Sequence, residues 1–358
     1  MTDLLYSETE DDLRAAVRSL LADRAGAQVL LGRIETGGPY VPGLWKSLAG
    51  EIGAAGLLVP EKLGGQGASH REAAVVLEEL GRAVTPVPYL TGAVVAVETL
   101  LALDTDSAPV AELLAALASG RTVAVLAVPL SAGPDTEPPT TDTVTGVADA
   151  DAADVLLVPR ADGLYAVPAA EARIEPLTPL DLTRPLSAVD ASGAAGTRLA
   201  DAATSRAAIR RGLLAGAGLL ASEQLGLAEW CLEETVRHTR ERYQFNRPVG
   251  SFQALKHRMA QLWLEVVNAR AVARAAADAL AVGSPDAALT VAVAQVYCSK
   301  AAVHAAEECV QLHGGIGMTW EHPAHLALKR AKSDQIALGS AGAHQDAIAA
   351  LVGLPAPA

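Results

Sequence analysis

The first third of the chain carries the apolar spacing of amphipathic helices. Apolar residues recur at the three- and four-residue intervals that place side chains on one helix face: Leu13, Ala16, Val17, Leu20 and Leu21. Ser7 lies just before this stripe, and Glu10 follows it three residues later, a pairing that satisfies free amides at a helix start. We expect residues 1–119 to form an N-terminal helical domain.

The pattern changes at Thr122, where short runs rich in β-branched residues replace the helical spacing. Three such runs are TVAVLAVPL, DVLLVPR and LYAVPA, and an Asp-Gly pair typical of a tight turn separates the second from the third. Proline, threonine and glycine are concentrated between them. The sequence therefore predicts a small central β domain over residues 120–200.

Helical spacing returns near Ala202 and continues to the end of the chain with few breaks. Four long alanine-rich helices are predicted, over residues 202–243, 252–281, 285–313 and 323–352. Short connections make neighbouring helices antiparallel, so a four-helix bundle is expected over residues 201–358. The fold class is α+β, in the order helical, β, helical. A glycine-rich dinucleotide motif after a strand is not found, so a Rossmann site is not expected.

Composition narrows the class of protein. The chain has 358 residues, 51% of them hydrophobic, but charged residues and glycine interrupt every apolar run before it reaches membrane-spanning length. The opening MTDLLYSETEDDL lacks the features of a signal peptide. Three widely spaced cysteines, Cys231, Cys298 and Cys309, are typical of reduced thiols. We expect a cytoplasmic protein without a membrane span.

The charge distribution favours a small anionic ligand over nucleic acid. A formal charge of −13 argues against nucleic acid as the main partner, because the phosphate backbone favours basic surfaces. Residues 237–258 form a local basic cluster against this acidic background, and such a cluster attracts small anions. No metal site is expected.

Two motifs in the C-terminal part carry a family resemblance. The stretch RERYQFNRPVGSFQALKHR, residues 240–258, places both phenylalanines of the chain in a basic turn. It resembles the R-x-x-F-G-[RK]-P-[IV]-G-x-F-Q turn of the acyl-CoA dehydrogenase family. The later stretch CVQLHGGIGMTWEHPAHLALKRAK is similar to that family's Q-x-x-G-G-x-G-[YF]-x-x-E motif. With LLVPEKLGGQGAS and VVLEELGRA matching near the N-terminus, the resemblance covers essentially the whole chain.

The resemblance implies an FAD site shared across a subunit interface. In this family one subunit grips the pyrophosphate and adenosine half of a flavin that its neighbour binds. Carried onto this sequence, the FAD-contacting residues are Arg242, Gln244, Phe245, Gln253, Gln311, Gly314 and Gly315. Arginine supplies fixed cationic donors, glutamine supplies amide hydrogen bonds, and glycine lets a ligand approach the backbone. Glycine pairs also simply end helices, and that alternative stays open.

The base that the family reaction needs is missing from its expected positions. Members remove an α-proton of an acyl-CoA with a glutamate while hydride leaves the β-carbon for the flavin. The usual glutamate corresponds here to Leu338, and the alternative position to Gly216, and neither residue can take a proton. Glu223 and His344 remain as candidates, with a surface or interface acid and a structural histidine as the other interpretations. No catalytic residue is predicted in this chain.

The central domain also departs from the family. Members carry a T-E-P-x-A-G-S-D loop that binds flavin and thioester, and a later tryptophan that covers the isoalloxazine. This chain has only SAGPD, residues 131–135, and no tryptophan between Trp45 and Trp230. We expect the flavin-ring pocket to be lost together with the base.

Three hypotheses follow from this pattern. The chain resembles the degenerate subunit of two-gene actinobacterial acyl-CoA dehydrogenases, α2β2 heterotetramers that act on steroid side-chain CoA thioesters. In that case it completes the FAD site of a catalytic acyl-CoA dehydrogenase subunit. The second hypothesis is a self-sufficient homotetramer with a displaced base. The third is a scaffolding homologue that binds no flavin.

Overall fold

The structure is a computed structural model that describes residues 4–36 and 38–355. Among these residues the N-terminal α-helices are α1 (Glu8–Arg24), α2 (Ala27–Glu35), α3 (Leu44–Lys46), α4 (His70–Arg82), α5 (Val97–Leu101) and α6 (Ala108–Ala118). Helix α3 runs on into a π-helical turn, Ser47–Glu51, and a second π-helical segment, Tyr89–Ala96, leads into α5. The capping box predicted for the first helix is confirmed, because Ser7 Oγ accepts the Glu10 amide and the Ser7 amide donates to Glu10 Oε2.

Two sheets occupy the middle of the chain. Their strands are β1 (Ala124–Leu126), β2 (Thr143–Ala148), β3 (Val155–Arg160), β4 (Gly163–Pro168), β5 (Arg173–Pro176), β6 (Leu186–Asp190) and β7 (Thr197–Asp201). One sheet has the order β1-β3-β4-β7, with β1 parallel to β3 and the other pairs antiparallel, and the second is the antiparallel β2-β6-β5. The predicted strands β1, β3 and β4 are confirmed, and the Asp-Gly pair does lie at the β3–β4 turn.

The C-terminal part is helical apart from one small hairpin. Its elements are α7 (Ala202–Glu241), the hairpin strands β8 (Tyr243–Gln244) and β9 (Arg247–Pro248), and the helices α8 (Gln253–Ala281), α9 (Ala287–His313), α10 (Ala324–Asp334) and α11 (Ala341–Leu351). Helix α7 has 40 residues, yet within the described part of the chain no helix is both long and apolar enough to cross a membrane. The predicted α+β fold, with helices before and after a β region, is confirmed. Its division at residues 119 and 200 into three domains stays a prediction.

The fourth predicted helix, residues 323–352, is wrong as a single element. It is divided into α10 and α11 by a turn in which Leu338 and Gly339 have φ values of +53° and +101°. The amide of Leu338 donates outside the helix, to the Leu130 carbonyl at 2.7 Å. Helical spacing alone does not reveal this break, since the apolar residues Ile336, Ala337 and Leu338 continue the pattern.

Helix α7 lies at the centre of the molecule and contacts α4, α8 and α9. Its contact with α4 is backbone to backbone: a Cβ built at Gly226 overlaps the Glu78 carbonyl, and one built at Gly81 overlaps the Glu223 carbonyl. Glycine permits this approach because it has no side chain. The crossing fixes α7 against the N-terminal helices and so positions every candidate site residue that α7 carries.

We expect Gly226→Ala to destabilise the protein by about 1–3 kcal/mol, because the methyl group has no space and the two helices must separate. Gly32→Ala is the matched control, since it lies within α2 and a Cβ there meets nothing within 4 Å. The control is expected to be neutral or up to about 1 kcal/mol stabilising. Urea denaturation of the variants measures both, and equal midpoints would contradict the close crossing.

Candidate functional site

A tight hairpin at the end of α7 presents one of the two phenylalanines to solvent. Gln244 pairs with Arg247, so the loop between the strands has only two residues. Phe245 and Asn246 both have positive φ, +53° and +59°, which is the backbone of a type I′ turn. Asparagine tolerates this conformation, but a phenylalanine there is strained. Phe245 is nevertheless 87% exposed, so contacts within the chain do not explain its position.

The base of the hairpin is held by stacked side chains. The guanidinium of Arg247 lies 3.8 Å over the ring of Phe252, and Phe245 meets Phe252 edge-on with ring centroids 6.1 Å apart. Cation–π and edge-to-face contacts of this kind favour fixed ring orientations. The ring of Phe245 is therefore oriented before any ligand or partner binds.

The seven residues predicted to contact FAD lie at one end of the helical bundle. Helices α7 and α9 end there and α8 begins there, and the rings of His238 and His313, near the ends of α7 and α9, lie 4.2 Å apart. All seven are exposed: Arg242, Gln244, Phe245, Gln253, Gln311, Gly314 and Gly315. Among the described residues, Arg242 forms no ion pair. The end of the bundle thus offers a free guanidinium, three amide side chains and an aromatic ring to an external ligand.

The glycines that follow α9 leave their backbone open. A Cβ built at Gly314 or Gly315 meets no atom of the described chain within 4 Å, whereas one at Gly317 is blocked by the Val310 carbonyl. Gly314 has φ +64° and ψ −138°, a conformation that essentially only glycine adopts. Gly314 also ends α9, so the helix-terminator interpretation holds for it as well. Gly315 does not end a helix, and no neighbouring atom of the described chain requires a glycine there. The space beside its backbone would let a bound group approach.

The two positions where the family carries its base meet in one apolar contact. A Cβ built at Gly216, on α7, lies 2.6 Å from Val95 Cγ2 and 3.0 Å from Leu338 Cδ1. Leu338 is buried, and it contributes no group that accepts a proton. Hydrocarbon therefore fills the space between the two positions that resemble the family's base positions.

Backbone contacts close the crevice beside Leu338. The Leu338 amide donates to the Leu130 carbonyl at 2.7 Å, and the backbones of Gly133 and Gly339 are in contact. The segment 131–135, the echo of the family's flavin loop, therefore lies directly against the turn between α10 and α11. The two segments are in direct backbone contact at this point.

His344 stabilises this turn. Its Nε2 lies 3.1 Å from the Leu338 carbonyl, which can only accept, so Nε2 carries the proton and donates it. Burial lowers the pKa of His344, which keeps the ring neutral. This contact fixes the left-handed conformation of Leu338 and favours the structural interpretation of the histidine over a base.

Glu223 lies in a buried ion cluster, which corrects its interpretation as a surface or interface acid. Its side chain is 2% exposed, and Oε1 accepts from both Arg184 and Arg330. Arg330 also binds Asp181 at 2.6 Å, and Arg184 lies 3.2 Å from Asp334. Burial alone would raise the pKa of Glu223, but the two guanidinium groups lower it below its ordinary value. A carboxylate held in this way is a poor base.

The ion pairs of Glu223 with Arg184 and Arg330 were not predicted from the sequence. The buried face of α10 consists of Ala324, Leu326, Ala327, Arg330, Ala331 and Asp334. A charged pair at i and i+4 on an apolar stripe is the signal that would have indicated buried ion pairs there, since charges are seldom buried unpaired. Arg184, in a loop, gives no comparable signal.

Comparisons with known proteins agree with the fold and the motifs. The chain matches the acyl-CoA dehydrogenase N-terminal domain over residues 7–121 and the acyl-CoA dehydrogenase C-terminal domain over residues 206–353. Acyl-CoA dehydrogenase IpdE2 of Mycolicibacterium smegmatis is 37% identical over 334 residues, which is 93% of this chain and 95% of IpdE2.

Solved structures extend the likeness over the whole chain. A chain of the ChsE4-ChsE5 complex from Mycobacterium tuberculosis superposes with a TM-score of 0.85 and 25% identity, covering 99% of this chain and 100% of that one. A variant of the Tcur3481-Tcur3483 steroid ACAD gives 0.84 and 26%, covering 97% and 98%. The likeness to these structures shows that the chain has the acyl-CoA dehydrogenase fold. The chain belongs to the acyl-CoA dehydrogenase family of FAD-dependent oxidoreductases.

We expect Glu223→Gln to destabilise the protein by about 3–5 kcal/mol, because it removes the carboxylate that two buried guanidinium groups share and leaves Arg184 and Arg330 each with a single aspartate. Glu307→Gln is the control, since Glu307 pairs with Lys332 on the surface and its loss is expected to cost less than about 1 kcal/mol. The shift in the urea midpoint distinguishes the two. A Glu223→Gln protein of unchanged stability would contradict the structural assignment and reopen the base hypothesis.

Proposed function

We propose that this chain is the non-catalytic subunit of an FAD-dependent acyl-CoA dehydrogenase and completes the FAD site of a catalytic partner in an α2β2 heterotetramer. The observation that carries the proposal is the contact between Leu338 and Gly216, which brings both family base positions together without a carboxylate. At the other end of the same helix, the residues that resemble the family's adenosine-side contacts are exposed. The chain thus keeps the adenosine-side half of a shared FAD site, whereas apolar side chains fill the half that would carry the base.

The role of this chain in the complex follows from the chemistry of the exposed end. Arg242 would bind the pyrophosphate through charge-assisted hydrogen bonds, and the amides around Gly314 and Gly315 would approach the same oxygens. Phe245 would pack beside the adenine, with Gln244, Gln253 and Gln311 offering hydrogen bonds to the nucleotide. The chemistry supplied there by bound FAD would be acceptance of the hydride that leaves the β-carbon of the acyl-CoA. The partner subunit supplies the base.

The relatives support a heteromeric assembly and a steroid-derived substrate. The structures that resemble this chain include the ChsE4-ChsE5 complex and the Tcur3481-Tcur3483 steroid ACAD, each named for two proteins. We infer that this chain likewise assembles with a second acyl-CoA dehydrogenase subunit and serves an acyl-CoA derived from a steroid. The three cysteines are buried free thiols, which is compatible with the reducing environment of the cytoplasm.

The other two hypotheses have less support. A self-sufficient homotetramer requires a base, yet Glu223 is locked between two arginines and His344 donates to a carbonyl. A flavin-free scaffold gives no reason for a strained phenylalanine held in solvent beside an arginine without an ion-pair partner in the described chain. The partner-subunit function accounts for both observations.

In a complex co-expressed with a catalytic acyl-CoA dehydrogenase subunit, we expect Arg242→Ala to weaken FAD binding about tenfold, as expected for the loss of a hydrogen bond between charged groups. Arg206→Ala is the control, because Arg206 is exposed on the same helix about 54 Å away. Flavin absorbance after gel filtration and FAD titration measure the effect. Equal FAD retention in both variants would remove Arg242 from the site.

We expect neither Leu338→Glu nor Gly216→Glu to confer acyl-CoA dehydrogenation on the chain expressed alone. The glutamate at 216 would overlap Val95, and the one at 338 would lie in a closed apolar contact without a flavin beside it. Leu338→Gln is the uncharged control for changes in shape. Dye reduction with an acyl-CoA substrate is the assay, and activity in Leu338→Glu but not in Leu338→Gln would contradict the proposed division of labour.

A further inference from the structure

Three histidine rings are stacked where the helices α7 and α9 end. His313 is the last residue of α9, and its ring centroid lies 4.2 Å from that of His238 and 4.3 Å from that of His322. The carboxylate of Glu234, one turn before His238 on α7, faces two of them. Glu234 Oε1 lies 3.7 Å from Nε2 of His313 and 3.5 Å from Nε2 of His322. The stack immediately precedes the Gly314–Gly315 pair.

The tautomer of His313 is fixed by its own helix. Nδ1 lies 2.6 Å from the Cys309 carbonyl, which can only accept, so Nδ1 carries a proton. The other nitrogen, Nε2, is buried and has no hydrogen-bond partner. In a neutral ring it would direct a lone pair at the Glu234 carboxylate. A second proton on His313 removes this conflict and makes an ion pair with Glu234.

The tautomer of His322 argues against a metal ion in the same place. His322 Nδ1 accepts the Ala324 amide at 3.2 Å, so the proton of its neutral ring lies on Nε2. That nitrogen has no lone pair to offer a cation, although two histidines and a glutamate would otherwise suit zinc. Arg237 donates to both carboxylate oxygens of Glu234 and already supplies a fixed positive charge.

We propose that protonated His313, paired with the Glu234 carboxylate, is a positioning residue that clamps the Gly314–Gly315 backbone to the hairpin end of α7 and so makes FAD retention by the complex depend on pH. This inference rests on the proposed function, because it concerns the same half-site. The two segments that would grip the nucleotide follow α7 and α9, and the His313–Glu234 pair joins the last residue of α9 to α7 about two turns before α7 ends.

The surrounding groups determine the direction of the pH dependence. The titratable groups around His313 are Cys231, Glu234, Arg237 and His238 on α7, Cys309 on α9 and His322 in the following loop. Burial lowers the pKa of His313, but Cys309 and Glu234 outweigh burial and raise the pKa above its ordinary value. Burial and the charge of His313 lower the pKa of His238 and of His322, so a single proton belongs to His313.

The raised pKa of His313 determines whether FAD binding weakens or strengthens as the pH rises. The His313–Glu234 ion pair is fully present below the ordinary histidine pKa and is lost as the pH rises through the raised value. FAD retention should therefore be strongest in mildly acidic buffer and decrease towards alkaline pH. Arg237 does not titrate in this range. The Cys309 thiol does, because its hydrogen bonds with Cys231 and His313 lower its pKa to about 6, so the His313→Gln profile is what separates the two groups.

The test is an FAD titration of the co-expressed complex between pH 5.5 and 8.5, with thermal midpoints recorded for each variant. In the wild type we expect FAD to bind about fivefold or more weakly at the alkaline end, a typical coupling between two sites. His313→Gln keeps an amide donor but does not titrate, so its profile should be flat, and Glu234→Gln should flatten it as well. His304→Gln is the control: His304 lies about 14 Å earlier on α9, is half exposed and binds Glu265, so it should follow the wild type.

Each other outcome overturns the inference. A flat wild-type profile, or a pH-dependent His313→Gln profile like that of the wild type, removes His313 from the role. Stoichiometric zinc in the purified complex, measured by mass spectrometry, would assign the cluster to a metal instead. A complex that binds no FAD at any pH would overturn the proposed function itself and this inference with it.

Discussion

The buried ion cluster around Glu223 is the interaction on which the rest of the structure depends. It joins α7, α10 and the loop residues Asp181 and Arg184 through charges that are fully removed from water. Breaking one partner in such a cluster costs several kcal/mol, because the remaining charges stay buried without compensation. The cluster therefore fixes α10 on α7. The turn that follows α10 carries Leu338 and is placed against Gly216 as a consequence.

This arrangement leaves two different regions along α7. The region around Gly216 and Leu338 is filled by the chain itself, and the region at the C-terminal end of α7 is exposed to solvent. At the closed end, the Leu338 amide binds the Leu130 carbonyl, and hydrocarbon from Val95 and Leu338 lies where a base would act. At the open end, a strained hairpin holds Phe245 in solvent. Local strain and an exposed aromatic ring are costly, and they tend to be kept where a ligand or partner uses them. The proposed sharing of FAD with another subunit would explain both ends together.

Much of the fold could be predicted because its helices carry their signals locally. The capping box at Ser7 and the long apolar stripes of α7, α8 and α9 are properties of neighbouring residues, and these predictions were confirmed. Strands β2, β5, β6 and β7 were not predicted. Strands β5 and β7 have no buried residue, so they show little apolar alternation. The break at Leu338 was missed because its cause is a hydrogen bond to Leu130, more than 200 residues earlier.

The site could be predicted only in part, for a similar reason. The exposed residues at the bundle end were predicted from two motifs that are continuous in sequence, and their role in FAD binding stays a prediction. The pairing of Glu223 with Arg184 and Arg330 depends on contacts between distant segments, so its surface interpretation was wrong. Likewise, the sequence shows that Leu338 and Gly216 lack a carboxylate, but only the fold brings the two positions together.

The central claim is that this chain contributes half of a flavin site and no complete one. Native mass spectrometry of the chain alone, and of its complex with a catalytic acyl-CoA dehydrogenase subunit, counts bound FAD directly. We expect no FAD on the lone chain and two FAD molecules on an α2β2 complex. A lone homotetramer with one FAD per chain, or four FAD molecules on the complex, would contradict it.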